Sequence, residues 1–157
     1  MMKAGKSFLM AAVLPALLIL CLAAGAAGEE ETAETLAEKA VRVAADGENL
    51  IRMGAEDLYD IVGIEEGTYT DFAYLADYDA LSGREIILVC AVDEEAAEEI
   101  GELLNLYRET RMKNARNYQP EVYRAWEETE VFRSGLLVGL CAGAADPLEE
   151  QRLLTEE

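Results

Sequence analysis

The sequence predicts an α+β fold in which about four antiparallel strands pack on one long helix with smaller flanking helices. Two pairs of apolar or aromatic runs predict the sheet, because a short turn separates the members of each pair. A segment between the two pairs predicts the long helix, because its apolar residues recur at 3- and 4-residue steps. The order is therefore hairpin, helix, hairpin, and we expect helices to cover one face of the sheet.

The strands are expected at the apolar runs. Aromatic and small apolar side chains alternate with other residues over 69–78, and residues 84–92 form a continuous β-branched and apolar run. The turn between them predicts the first hairpin. In the second hairpin, residues 130–133 pair with residues 136–142 across a Ser-Gly turn.

The helices follow from their caps and their periodicity. Asp93 can cap a long helix that extends to about Ala115, because acidic residues fill its first turns and Ala97, Ile100 and Leu104 keep helical spacing. The pattern predicts four smaller helices: residues 29–45, the stretch marked by Leu58, Ile61 and Val62 that stops at Gly63, the stretch from Pro120, and the stretch from Asp146-Pro147. The segment with Leu50, Ile51 and Met53, which runs to Gly54, is assigned no type of secondary structure.

The N-terminus has the layout of a secretory signal, because Lys3 and Lys6 precede an uncharged, mostly apolar run that ends in small residues. We expect cleavage near residues 26–28; a retained membrane anchor and lipid attachment at Cys21 are the alternatives. Each alternative predicts an extracytoplasmic chain, either secreted or attached to the outer face of the cytoplasmic membrane. The predicted parts are a signal peptide or anchor (1–28), an acidic helix or linker (29–47), the α+β domain (48–145), and a C-terminal helix with an acidic tail (146–157).

The charge excludes several classes of function. The chain has 13 Lys and Arg against 32 Asp and Glu, a net charge of −19, and no histidine. Nucleic acid is excluded as a partner, because binding to phosphates needs a basic face, and contact with a membrane is expected only through the N-terminal segment. Without histidine, a general base near neutral pH would be a shifted carboxylate or lysine.

The sequence predicts no cofactor and no metal site, because packing and turns explain its cysteines and its acidic motifs. Cys90 and Cys141 lie in apolar runs, so we expect both to be buried and free, with a disulfide as the alternative. The Asp77-x-Asp79 motif suggests a calcium loop, but the positions where further ligands are needed hold Leu81 and Leu88. A hairpin turn explains this motif better, and solvated helix faces explain the paired glutamates.

One stretch combines arginines with aromatic residues, a composition suited to binding carboxylates, sugars or a partner chain. The candidate binding residues are Arg108, Arg111, Arg116, Arg124, Tyr118 and Trp126, with Lys113, Tyr107 and Tyr123 between them. The alternative is that the arginines pair with nearby acids while the aromatic rings fill the core. No catalytic residue is singled out.

The order of these elements resembles an exported Gram-positive bacterial family, domain of unknown function 4358. The similarity covers about residues 50–142, and its most specific piece is Tyr118-x-Pro120 followed by a polar helix and a strand, turn, strand unit. Members of that family commonly look like lipoproteins, a pattern from which Leu20 before Cys21 departs. The resemblance implies an α+β domain outside the membrane and carries over no site residues.

These observations predict a non-catalytic binding or accessory module of the bacterial cell envelope, whose partner is an envelope protein or a small ligand. The alternatives are a small carboxylate-dependent hydrolase and a calcium-stabilised exported domain. A binding module predicts an exposed patch around residues 107–126. An enzyme instead predicts a concave pocket that holds a buried acid with a raised pKa.

Overall fold

The computed structural model describes residues 34–44, 49–77 and 82–156. In this part of the chain, five strands form one antiparallel sheet in the order β1-β2-β3-β5-β4. The strands are β1 (Leu50–Arg52), β2 (Tyr69–Asp77), β3 (Glu85–Ala91), β4 (Val131–Ser134) and β5 (Leu137–Ala142). The α+β prediction is confirmed, and the additional strand, β1, comes from the apolar segment that the pattern left unassigned.

Five helical segments surround this sheet in the described residues. They are α1 (Leu36–Val43), α2 (Ala55–Asp57), which continues as a π-helical turn (Leu58–Val62), α3 (Glu94–Ala115), α4 (Pro120–Glu127) and α5 (Pro147–Thr155). Asp93 caps α3 as expected, because its carboxylate accepts a hydrogen bond from the Ala96 amide at 2.9 Å. Asp146 caps α5 in the same way through the Glu149 amide.

Both predicted hairpins form and are joined at the centre of the sheet. Tyr74 of β2 pairs with Ile87 of β3, and Ile87 also lies opposite Leu140 of β5. Within the described ranges, strand β4 pairs with β5 and forms one edge of the sheet, whereas β1 forms the other edge. The centre of the turn between β2 and β3 lies outside the described residues, as does the predicted signal segment.

Helices cover both faces of the sheet, not one. The face that carries Tyr74, Ile87 and Leu140 packs against α3, α4 and the π-helical turn. Side chains on the opposite face, including Ile86 and Leu88, pack against α1 and α5. The one-face prediction was wrong because β3 is apolar on both sides, and strands of this kind need a cover on each face.

Helix α1 is shorter than the predicted helix over 29–45. Thr35 caps it, the Glu38 side chain completes a capping box, and the Leu36 amide donates to the Asp71 carboxylate of β2 at 2.9 Å. Residues 29–33 lie outside the described ranges. Among the described helices, none has the length and apolar character that crossing a membrane requires.

Candidate functional site

A groove lies between the π-helical turn and the middle of α3. It has a volume of about 370 Å³ and is lined by Ile61, Val62, Leu106, Tyr107, Thr110, Arg111 and Asn114. Its apolar rim is open to solvent, because Ile61 is 45% exposed and Leu106 is 61% exposed. Large apolar side chains with this exposure on both sides of one groove are typical of a binding surface.

Gly63 ends the π-helical turn. The Gly63 amide donates to the Leu58 carbonyl at 3.2 Å and to the Tyr59 carbonyl at 2.8 Å, and its φ of +91° is in the left-handed region. Leu58 and Val62 are buried, while Tyr59 and Ile61 point to solvent. Ile61 is one of the apolar residues by which the sequence marks this helix, and the structure places it on the rim of the groove.

The floor of the groove is connected to a buried carboxylate. Arg111 donates to Glu85 Oε1 at 2.7 Å, and the Tyr107 hydroxyl donates to Glu85 Oε2 at 2.8 Å. The Tyr74 hydroxyl lies 3.3 Å from the same oxygen and 3.3 Å from the Tyr107 hydroxyl. Glu85 is only 5% exposed, so it lies beneath the groove and does not line it.

Burial controls the acid–base behaviour of this cluster. Loss of solvation raises the pKa of the Glu85 carboxyl above its ordinary value, although Arg111 and the two tyrosine hydroxyls act in the opposite direction. Loss of solvation and the neighbouring Glu85 charge raise the pKa values of Tyr74 and Tyr107. Both tyrosines are therefore neutral hydrogen-bond donors at neutral pH.

Trp126 is also part of this cluster and packs against Tyr107 and Arg111. Its ring is packed edge-to-face with Tyr107 at a centroid distance of 5.4 Å, and the Arg111 guanidinium lies 5.2 Å from its centre. Arg111 therefore makes an ion pair and a cation–π contact simultaneously. Among the described residues, Arg111 Nε and Trp126 Nε1 are buried without a hydrogen-bond partner.

The structure places three of the predicted binding residues in structural roles. Trp126 is buried, and Arg111 is 28% exposed at its side chain and engaged with Glu85. Arg108 donates to the carbonyls of Trp126 and Glu127 at 3.1 and 2.9 Å, so it supplies hydrogen bonds to backbone carbonyls at the C-terminal end of α4. The positions of Trp126 and Arg111 agree with the packing alternative, whereas Arg108 bonds to backbone carbonyls and not to an acid.

The other three predicted binding residues are exposed. Tyr118 is 87% exposed, and within the described chain neither Arg116 nor Arg124 makes a hydrogen bond or an ion pair with its side chain. Arg116 lines a shallow pocket of about 210 Å³ with Lys113, Tyr123 and neighbouring residues of α3. The structure therefore divides the predicted patch between the interior and the surface.

A second buried ion pair lies on the opposite face of the sheet, and the sequence pattern did not reveal it. Arg84 and Glu150 form a two-pronged contact in which Nη1 lies 2.9 Å from Oε2, and both side chains are buried. The loss of solvation, and after it the Glu150 charge, raise the pKa of the neighbouring Cys141 thiol. A bidentate pair of this kind holds α5 against the sheet.

Cys90 and Cys141 are both free, as expected. Cys141 is buried, but Cys90 is only half-buried, so its prediction was partly wrong. Cys141 pairs with Ile86, four residues from Cys90 along β3. The thiols are thus separated by about 13 Å along the strand, too far for a disulfide.

Acidic side chains next to the first hairpin act as turn caps. The Asp77 carboxylate accepts hydrogen bonds from the amide and the hydroxyl of Ser82. Within the described residues, no group of three or more cysteine or acidic side chains is arranged to hold a metal ion.

Comparison with known proteins places the fold in a family. The family model described as a domain of unknown function (DUF4358) matches residues 44–143, which include the whole sheet, α2, the π-helical turn, α3 and α4. Neither the curated proteins nor the solved structures contain a match. Helices α1 and α5 lie outside the matched segment. Because the match covers well over half of the sequence, the chain belongs to the DUF4358 family.

Proposed function

We propose that this protein is a non-catalytic, extracytoplasmic binding module of the cell envelope that holds a partner in the groove between the π-helical turn and α3. The observation that carries the proposal is the pair of exposed apolar side chains, Ile61 and Leu106, on opposite walls of one groove. Burial of such side chains by a partner would be favourable by about 25 cal/mol per Å² of apolar surface.

The N-terminal sequence supports export. Lys3 and Lys6 followed by an apolar run and small residues is the pattern of a signal that directs a chain across the cytoplasmic membrane. The large acidic excess suits a module that stays soluble outside the cell and avoids non-specific attachment to anionic surfaces.

The geometry around Glu85 supports a non-catalytic role. Both carboxylate oxygens are engaged, one by Arg111 and the other by the hydroxyls of Tyr107 and Tyr74. A general acid or base must lie within hydrogen-bond reach of the substrate, and Glu85 is buried beneath the groove. The cluster therefore acts as a rigid, internally neutralised floor.

Site-specific photo-cross-linking tests the proposal. A photo-reactive residue replaces Leu106 in the full chain, which is expressed in an exporting bacterial host and irradiated in intact cells. The matched control carries the same residue at Leu148 on α5, which is also exposed but far along the chain from the groove. We expect a discrete covalent adduct from position 106 and none from position 148. A second variant carries the photo-reactive residue at Ile61, on the opposite wall of the groove. Absence of an adduct from both positions 106 and 61 contradicts the proposal.

One observation favours a carboxylate-dependent hydrolase as the second candidate. Glu85 is a buried acid with a raised pKa and lies directly below a groove, the combination that an enzyme predicts. A hydrolase of this kind would lose all turnover of ester or glycoside substrates in the Glu85→Gln variant. The binding module instead predicts that no such turnover is detected and that cross-linking from position 106 survives this substitution.

A further inference from the structure

We infer that the groove receives a basic amphipathic helix of a partner protein. The inference rests on the proposed function, because it names the class of partner for the same groove. It follows from three properties of the groove: its apolar rim, the acidic side chains beside that rim, and its position between two helical elements.

The apolar rim defines one face of the partner. Ile61 projects from the π-helical turn and Leu106 projects from α3, and the buried Val62 and Tyr107 lie between them. Apolar side chains at three- and four-residue spacing on a partner helix can lie in such a groove along its length. A helix with only polar side chains would leave Ile61 and Leu106 in water.

The charges beside the rim define the partner's flanks. Asp60 is adjacent to Ile61 on the π-helical turn, and Glu102 and Glu99 precede Leu106 by one and two turns of α3. All three carboxylates are exposed, and none of them makes an ion pair in the described part of the chain. A partner with lysine or arginine beside its apolar face complements them.

The positive charge of Arg111 on the floor of the groove does not oppose the binding of a basic helix. The charge of Arg111 is paired with Glu85 at 2.7 Å, so the floor is close to neutral. On the Leu106 face of α3, the exposed acids Glu99, Glu102 and Glu109 outnumber the exposed cation Lys113. The net charge of −19 adds a long-range field that attracts a basic partner and repels a second copy of this chain. An anionic lipid surface is disfavoured for the same reason.

The helical form follows from the geometry of the walls. The groove runs between the π-helical turn and α3 and therefore presents side chains, not an open strand edge, to its occupant. An extended peptide gains most of its affinity from backbone hydrogen bonds to a sheet edge, and the groove offers none. A helix satisfies its own backbone groups and contributes only side chains.

A designed peptide tests the inference directly. The probe is a peptide of about 18 residues, built from leucine and lysine with leucine at helical spacing, and its control is a shuffled peptide of the same composition. Binding to the full chain is measured by calorimetry at two salt concentrations. We expect the amphipathic peptide to bind, the shuffled peptide to bind at least about tenfold more weakly, and added salt to weaken binding.

Matched variants locate the binding surface. Leu106→Ser removes an apolar wall, and Leu148→Ser makes the same change at an exposed leucine elsewhere. Glu102→Gln removes a flanking charge, and Glu121→Gln removes an exposed charge on α4. We expect about tenfold weaker binding for the first member of each pair and little change for the second.

The outcomes separate this inference from the proposed function. Equal binding of the shuffled peptide, or equal effects of Leu106→Ser and Leu148→Ser, overturns the inference, because charge alone then explains the binding. Binding of phosphatidylglycerol vesicles that Leu106→Ser abolishes also overturns it and assigns the groove to a membrane. If cross-linking from position 106 captures a partner but the amphipathic peptide does not bind, the proposed function stands and the inference fails. Peptide binding without any adduct in cells contradicts the proposed function, and the inference about its partner then fails with it.

Discussion

Arg84 and Glu85 are consecutive residues at the start of β3, and their side chains form buried ion pairs on opposite faces of the sheet. Arg84 pairs with Glu150 of α5, whereas Glu85 pairs with Arg111 of α3. A buried charge without its partner is strongly unfavourable, so each pair penalises any arrangement in which its helix is displaced. One dipeptide therefore fixes the position of a helix on each side of the sheet.

The first prediction concerns the pair on the α3 face. Arg111→Met keeps an apolar stem beside Trp126 but leaves Glu85 buried without its cation. We expect the free energy of unfolding to fall by about 3 kcal/mol, measured by urea denaturation. Arg116→Met is the matched control, because Arg116 is exposed on the same helix end and its change should stay within about 0.5 kcal/mol. Equal stability of both variants would show that the Glu85 pair does not hold α3.

The second prediction concerns the pair on the α5 face. Arg84→Met alone should lower the free energy of unfolding by about 3–5 kcal/mol, because Glu150 is then buried without its cation. The double variant Arg84→Met, Glu150→Leu removes both charges and should recover most of that loss. Urea denaturation of the two single variants and the double variant gives the coupling energy. Additive losses would contradict a direct pairing of these side chains.

The sheet and the long helix could be predicted because their signals are local. Alternating or continuous apolar runs, turn glycines and the Asp93 cap act through neighbouring residues, and the observed elements follow them closely. Strand β1 was not predicted, because three residues give no measurable period and the strand forms only by pairing with β2. The cover on the second face depends on α1 and α5, which are distant from β3 in sequence.

The groove could not be predicted for a related reason. The sequence singled out the arginines and aromatic residues of 107–126, and Arg111 and Tyr107 do line the groove. Their partner Glu85 lies in a strand read as apolar, so its burial depends on packing that periodicity does not describe. Ile61 is exposed on the π-helical turn, and the apolar pattern that marks this segment does not distinguish its exposed side chains from its buried ones.

The third prediction is a pH dependence that comes from Glu85. Burial raises the folded-state pKa of Glu85 above the ordinary value of 4.5. The protonated Glu85 carboxyl therefore contributes its full stabilisation below pH 4.5, and this contribution is lost as pH rises through the folded-state pKa. We expect the stability of the wild-type chain relative to Glu85→Gln to decrease between about pH 4 and neutral pH. Urea denaturation of both proteins across this range measures the difference. A relative stability that increases with pH would mean that the folded pKa is lowered.

The fourth prediction is that Cys90 and Cys141 remain thiols in the purified protein. Their positions on β3 and β5 keep the sulfur atoms too far apart for a bond, although the strands are neighbours. Alkylation in denaturant without reductant, followed by peptide mass mapping, should label both residues. In the native state, Cys90 should be labelled first, because Cys141 is buried and its pKa is raised. Unlabelled peptides that become reactive only after reduction would demonstrate a disulfide and a different register of these strands.

The last prediction separates the buried and exposed parts of the arginine and aromatic stretch. Trp126→Ala removes a buried ring that contacts both Tyr107 and Arg111, so we expect a loss of about 3–5 kcal/mol in the free energy of unfolding. The paired substitution Arg116→Ser, Arg124→Ser removes two exposed side chains without ion-pair partners in the described residues, and stability should change by less than about 1 kcal/mol. Thermal unfolding measures the stability of both variants, and cross-linking from position 106 measures partner capture by the double arginine variant.

If the double arginine variant is stable but yields no adduct, the exposed cations at the ends of α3 and α4 also contact the partner. The partner then needs an acidic segment beyond its basic helix. Unchanged capture limits the contact to the groove, because these cations lie outside its lining.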